Sequence, residues 1–376
     1  MSFVVIGGGL AGLSAALTLQ EAGESVELFE ASDDVGGRVR SDYIDGYILD
    51  RGFQLINSGY PEIKRLEVVS EIDFCKSDRT IDVVTPFGVS SIGDPRLHPL
   101  QSIHSPLGSL KEKLAVLTFM GAKSNGAISL RDALLASGTG NFYQNVLNPF
   151  LRGVFLSDLE NIDSAYGREI IKSFIVGDSG LPRAGAGALS EAIGARIENI
   201  QLNAPIDSLA QFEGKKIIVA TDQFTASNLL QTHEQVNSAN SYTWYHSAPR
   251  GVITSKRLRV TSAKSPLVNS IALSNIVPEY APDGVTLISS TSLELITDEQ
   301  AVTEIAKFWS LHARDLTLIK RYEVKNSLPI FAPGQSGIAS AHVRGNIFRA
   351  GDYLTAGSQN GALLSGRLAA MESLLN

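Results

Sequence analysis

The first thirty residues constrain the fold most strongly. Phe3, Val4, Val5 and Ile6 form an apolar run without alternation, the pattern of a strand covered on both faces. The turn Gly7-Gly8-Gly9-Leu10-Ala11-Gly12 follows. LSAALTLQEAG then has a helical pattern that stops at Gly23, and SVELFEAS reads as a second strand ending at an acid, Glu30. Strand, glycine turn, helix, strand and acid in this order make a dinucleotide-binding unit. Gly7 permits the tight turn, Gly9 admits a pyrophosphate close to the backbone, and Gly12 lets the helix pack on its strand. Leu10 and Ala11 open the helix, whose free N–H groups and positive dipole end face the phosphates. Glu30, 18 residues past Gly12, is placed to take the adenosine ribose hydroxyls and would repel a 2′-phosphate.

Composition narrows the function. A chain of 376 residues has room for about two domains. Its net charge of −7 argues against a nucleic-acid partner. With one cysteine, Cys75, internal disulfide chemistry is excluded. The six histidines show no metal-ligand spacing, so no metal site is expected. There is no GxSxG nucleophile elbow, since GSQNG (357–361) carries Gln359 at its centre. The N-terminus lacks a secretion signal, and no apolar run is long enough to span a membrane. The expected location is the cytoplasm, with a peripheral membrane contact left open.

The fingerprint alone does not distinguish NAD from FAD. DDVGGRVRSDYIDGYILDRGFQLI (33–56) places Gly36, Gly37 and Arg38 next to the ligand, followed by a hairpin turning at Asp45-Gly46. At the other end, FRAGD (348–352) reads as a strand ending at Asp352. Gly357 and Ser358 allow close approach, and a helix spans Gln359–Ala370. KKIIVATDQFTASNLL (215–230) reads as a strand ending at Ala220-Thr221 before a helix, LNAPIDSLAQF (202–212) as a strand, and LPRAGAGALSEAIGARI (181–197) as a glycine-rich lead into a helix.

GGGLAG, Glu30, GGR, DRGFQ and the C-terminal GDY, GSQNGA and SG together resemble the flavin-containing amine oxidase, phytoene desaturase and protoporphyrinogen oxidase superfamily, with the nearest match to its phytoene-desaturase-like branch. The resemblance implies an α/β fold: a Rossmann-type FAD domain built from residues 1–75, 185–239 and 326–376, with an inserted α+β substrate domain from 76–184 and 240–325. It implies noncovalent FAD contacted by Gly7, Gly9, Leu10, Ala11, Gly12, Glu30, Gly36, Gly37, Arg38, Gly52, Phe53, Ile206, Ala220, Thr221, Gly351, Asp352, Gln359 and Asn360. Asp352 falls to the ribityl or pyrophosphate region, and the helix N-terminus at Gln359 and Asn360 to the flavin pyrimidine edge. Arg38, Arg51, Phe53, Gln54 and Tyr353 are candidates for the flavin neighbourhood, with no general acid or base identified.

Only one dinucleotide fingerprint occurs, and paired cysteines are missing, which disfavours the monooxygenase and disulfide-reductase classes. The expected reaction is dehydrogenation of a small substrate by hydride transfer to flavin N5, with oxygen or a quinone as the acceptor. A hydrophobic, unsaturated, isoprenoid-like substrate is the leading expectation, and an amine is next. A non-redox FAD-dependent isomerase and a non-catalytic binding protein of the same architecture are the competing readings. Trp244 and Tyr245 read as sheet or core residues rather than an aromatic pair over the flavin. SPLGSLKEKLAVLTFMGAK (105–123) reads as an amphipathic cap helix with Pro106 near its start and Gly121 at its end.

Overall fold

A computed structural model describes residues 2–123, 127–232, 236–335 and 337–376. The N-terminal unit forms as the sequence predicts. Strand β1 (Ser2–Ile6) leads into helix α1 (Leu10–Glu21) and then strand β2 (Ser25–Phe29). Gly23 ends α1 with φ +83°, a backbone region that suits glycine. β1 lies between β2 and the strand Lys216–Val219, parallel to both. Strands 200–201, 347–349 and 342–344 complete a six-stranded sheet that is parallel except for its last pair.

The two chain ends meet on this sheet. The C-terminal helix Gln359–Leu375 packs on α1 at near-backbone contact: a Cβ on Gly366 would lie 1.9 Å from the Ala11 carbonyl oxygen. The Ser14 hydroxyl donates to the Leu363 carbonyl at 2.7 Å. Leu13, Leu17, Leu363 and Ala369 are buried between these helices and the sheet. The opposite sheet face, with Val4, Ile6 and Val219, is covered by Phe212 and the helix Gln223–Leu230.

A second sheet of seven strands runs in the order 317–329, 238–249, 285–292, 267–272, 258–261, 80–85, 88–93. It is antiparallel except where 258–261 meets 80–85. Its back is closed by the amphipathic helix Asp298–Trp309, which buries Ile305 and Trp309 against Trp244 and Ile288. Its front packs against the hairpin 41–50 and Phe53. Helices within 110–176 form a cap around Phe119, Leu130 and Tyr166.

Three local expectations differ from the structure. Residues 202–208 are irregular and Leu209–Phe212 is a short 3-10 turn rather than a strand. The chain there leaves the sheet edge after Gln201, and its backbone bonds run to Ser32 and Glu30 instead of along a ladder. The strand before Asp352 stops at Arg349, and Asp352 opens a 3-10 turn. Helix Leu110–Gly121 is capped by Ser109, which leaves Pro106 outside it.

Candidate active site

The strand ends Gly7, Ala220 and Gly351 line up because their parallel strands are neighbours. Ala220 N donates to Ile6 O, and Ala350 N to Val219 O. Gly7 adopts φ +106°, and a Cβ there would lie 2.8 Å from Ala220 O. A Cβ on Gly12 would lie 1.8 Å from Gly7 O, so the turn closes only with glycine at both positions. Gly9 is different, since a Cβ there meets no protein atom within 4 Å. The space in front of Gly9 is open, as a pyrophosphate cradle requires. No side chain caps α1 and no acid sits in its first turn, so the N–H groups of Leu10, Ala11 and Gly12 keep their anion-binding capacity.

Glu30 sits beside this turn. Its carboxylate accepts from Gly8 N at 2.6 Å and from Ser32 N at 2.9 Å, which fixes its position past β2. Ile206 packs next to Phe29, whose ring lies 5.1 Å from that of Phe212. This apolar shelf next to Glu30 suits an adenine.

Gly36 and Gly37 bring their loop onto the cradle with φ of +113° and +57°. Gly36 N donates to Gly8 O at 2.8 Å, and a Cβ on Gly37 would lie 3.4 Å from the Gly9 Cα. Arg38 then reaches across the fold. It donates to the Asp352 carboxylate and to Ser327 O, both at 2.7 Å. Burial pushes its pKa down most strongly, but the charge and hydrogen bond of Asp352, together with the Asp222 charge, hold the guanidinium above its ordinary value. Gln54 donates to Arg38 O at 2.6 Å, and Gln359 approaches Gln54 at 3.4 Å. The Gln359 Oε1 is buried with no hydrogen-bond partner, a cost that a ligand donor would remove. These features fit the flavin end of FAD.

The remaining candidates divide. Gly52 (φ +92°) lies against Val324, and Phe53 packs with Tyr245 and Tyr322, so DRGFQ forms the seam between the two sheets. Arg51 is turned to Asp42 at 2.9 Å. Thr221 follows Ala220 at the end of its strand. The Asn360 side chain accepts from Glu62 N at 3.1 Å, and Gln359 and Asn360 are the first two residues of the C-terminal helix. The Tyr353 ring lies against Gly351, where a Cβ would come within 2.2 Å, and packs with the cluster that contains Val219. Cys75 stands opposite Leu181 in a small three-stranded sheet. Trp244 faces the back helix and donates to Asp298, and Tyr245 is fully buried with its hydroxyl on Asp50 O, so neither is free to cover a flavin.

Asp50 was not singled out by its sequence. It is fully buried, accepting from the Ser41 hydroxyl at 2.6 Å, Ala186 N at 2.8 Å and the Tyr280 hydroxyl at 3.2 Å. Burial pushes its pKa up to about 6 against these bonds. Asp50 therefore ties the hairpin, the 183–187 turn and the second sheet together behind Phe53. In the sequence it is the first residue of DRGFQ, an acid at the end of an apolar return strand, and its neighbours Arg51, Phe53 and Gln54 are the ones the motif marks.

Comparison with known proteins agrees with this geometry. The family model "Flavin containing amine oxidoreductase" matches residues 10–374. A 51-residue segment is 51% identical to polyamine oxidase 2 of Arabidopsis thaliana, covering 14% of this chain and 10% of that one. A 57-residue segment is 40% identical to 4,4′-diaponeurosporene oxygenase of Staphylococcus aureus, covering 15% and 12%. The matched segments thus span about a tenth of these relatives' lengths. An oxidoreductase from Methanosarcina mazei has the same fold over the full length of both chains, with a TM-score of 0.79 at 17% identity. The family so matched is flavin-containing. The chain belongs to the flavin-containing amine oxidoreductase family.

Proposed function

We propose that this enzyme dehydrogenates an uncharged, largely apolar, unsaturated substrate of isoprenoid-like character at the seam between Phe53 and the seven-stranded sheet. When bound, FAD supplies the two-electron acceptor. The backbone at Gly9 and the start of α1 hold its phosphates, Glu30 takes the ribose, and Arg38 with Asp352 fixes the segments that flank the isoalloxazine. Gln54 and Gln359 face that end. In this reading residues 1–75, 185–239 and 326–376 carry the cofactor, and 76–184 and 240–325 carry the substrate. The strand Thr317–Pro329 passes from one to the other, with Tyr322 on the substrate side and Ser327 beside Arg38. Oxygen or a quinone takes the electrons afterwards.

One observation carries the choice of substrate. The carboxylates supplied by these motifs are already engaged. Asp42 accepts from Arg51 and Tyr322, Asp50 from Ser41 and Tyr280, Asp222 from the first turn of its helix, and Asp352 from Arg38. Each of these four already has a donor, so an ammonium group would have to displace or share one. The similarity to a polyamine oxidase supports an amine as the second reading. Anaerobic mixing of the FAD-loaded enzyme with polyenes and, separately, with putrescine distinguishes the two. Flavin bleaching by the polyene alone is expected; bleaching by putrescine alone would replace this reading with the amine.

A further inference from the structure

We infer that the cap carries a docking surface for an anionic lipid bilayer, made by the helices Pro99–His104 and Leu110–Gly121. Leu97, Leu100, Ile103, Leu110, Leu114 and Leu117 all project into solvent there. Leu100 and Leu117 are 70% and 67% exposed, far more than a large aliphatic side chain in a packed cap helix requires. Leu110, Leu114 and Leu117 share one helix face by their spacing. Lys113 lies on that face between Leu110 and Leu117, and its ammonium donates to Ser105 O at 2.7 Å and to Ile103 O at 3.2 Å. The two helices are thereby joined into one apolar surface. Arg96, which bonds to Ile175 O, connects Leu97 to the exposed end of the helix Ser164–Val176, where Val176 is 58% exposed.

Charge identifies the partner. Residues 94–123 contain Arg96, Lys111, Lys113 and Lys123 against Asp94 and Glu112, a net charge of +2 in a chain of −7. The one acid inside the second helix is engaged by backbone donors: the Glu112 carboxylate accepts from Ser109 N at 2.7 Å and from Asn141 N at 2.6 Å. Apolar side chains ringed by cations match the headgroup–acyl boundary of an anionic membrane. A second copy of this chain fits less well. A two-fold interface here would set one patch of net charge +2 against its own copy. Among the described residues no helix is long and apolar enough to cross a membrane, so the contact is one of a surface lying in the interface plane.

The buried side of the same helix faces the cofactor end. Phe119 packs in one cluster with Tyr166, whose hydroxyl donates to Gly357 O at 3.0 Å, just before the C-terminal helix. The docking surface does not depend on the identity of the substrate.

Co-sedimentation of the FAD-loaded protein with phosphatidylcholine vesicles, with and without phosphatidylglycerol, tests the inference. Binding is expected to the phosphatidylglycerol vesicles and to weaken with salt. The pair Leu100→Gln and Leu117→Gln should lower partitioning by about a hundredfold, roughly tenfold per leucine. The pair Lys111→Gln and Lys123→Gln should remove the preference for phosphatidylglycerol. Both pairs lie on the surface, and an unchanged flavin spectrum verifies their fold. Failure to sediment with either vesicle at low salt overturns the inference, whether the protein is then monomeric or a dimer in solution. Equal binding to both vesicle types also overturns it.

Discussion

The Arg38 guanidinium donates to the Asp352 carboxylate at 2.7 Å, joining positions 314 residues apart in the chain. One belongs to the glycine loop after the second strand and the other to the turn before the C-terminal helix. The pair therefore clamps these two segments of the candidate site onto each other. Asp352→Ala should weaken FAD binding by at least about tenfold, the scale of ~1.4 kcal/mol for one lost charge-assisted hydrogen bond. Fluorescence titration of the apoprotein measures this. Arg38→Met combined with Asp352→Ala should cost clearly less than the two single changes added together, because both remove one interaction.

Gly9 and Gly12 should separate cofactor binding from folding. Gly9 has φ −72° and ψ 175°, which any residue adopts, and no protein atom would touch its Cβ. Gly9→Val should fold with near-normal stability and lose FAD. Gly12→Ala should destabilise the fold itself by about 1–3 kcal/mol, because its Cβ collides with Gly7 O. Urea unfolding of the two apoproteins, set beside their flavin content, gives the comparison. Retention of FAD by Gly9→Val would contradict the cradle.

The buried Asp50 predicts a loss of stability at higher pH. Its folded pKa of about 6 lies above the ordinary value of 3.8. Its contribution is therefore complete below about 3.8 and is lost as pH rises through about 6. Asp50→Asn keeps the acceptor for Ser41 and Ala186 N and carries no charge. The variant should flatten the change in urea midpoint across this window, while Asp50→Leu, which strands both donors, should destabilise at every pH.

His246 predicts the opposite sign. Burial in the second sheet lowers its pKa from 6.5 to about 4. Its contribution is present above about 6.5 and is lost as pH falls through about 4. Its Nδ1 is buried without a partner, so a charged ring has little to compensate it. His246→Leu should raise resistance to acid unfolding, followed by circular dichroism, without changing flavin content.

The cofactor half of the site was legible because its signals are local. Gly7 to Glu30, Gly36 to Arg38 and Asp352 to Gln359 each carry their geometry within a few residues of chain. The seam was less legible. Asp50 acquires its character from Ala186, Tyr245 and Tyr280, between 136 and 230 residues away, and nothing in ILDRGF marks that convergence. The segment 202–212 has a strand-like composition but stands beyond the last paired residue of the sheet, where no neighbour offers a ladder.

The central claim is that both chain ends build one FAD site. The visible absorption spectrum of the purified protein, followed by identification of the released cofactor, tests it most directly. An oxidised-flavin spectrum arising from stoichiometric FAD is the predicted result. A colourless protein that also fails to take up added FAD would contradict it.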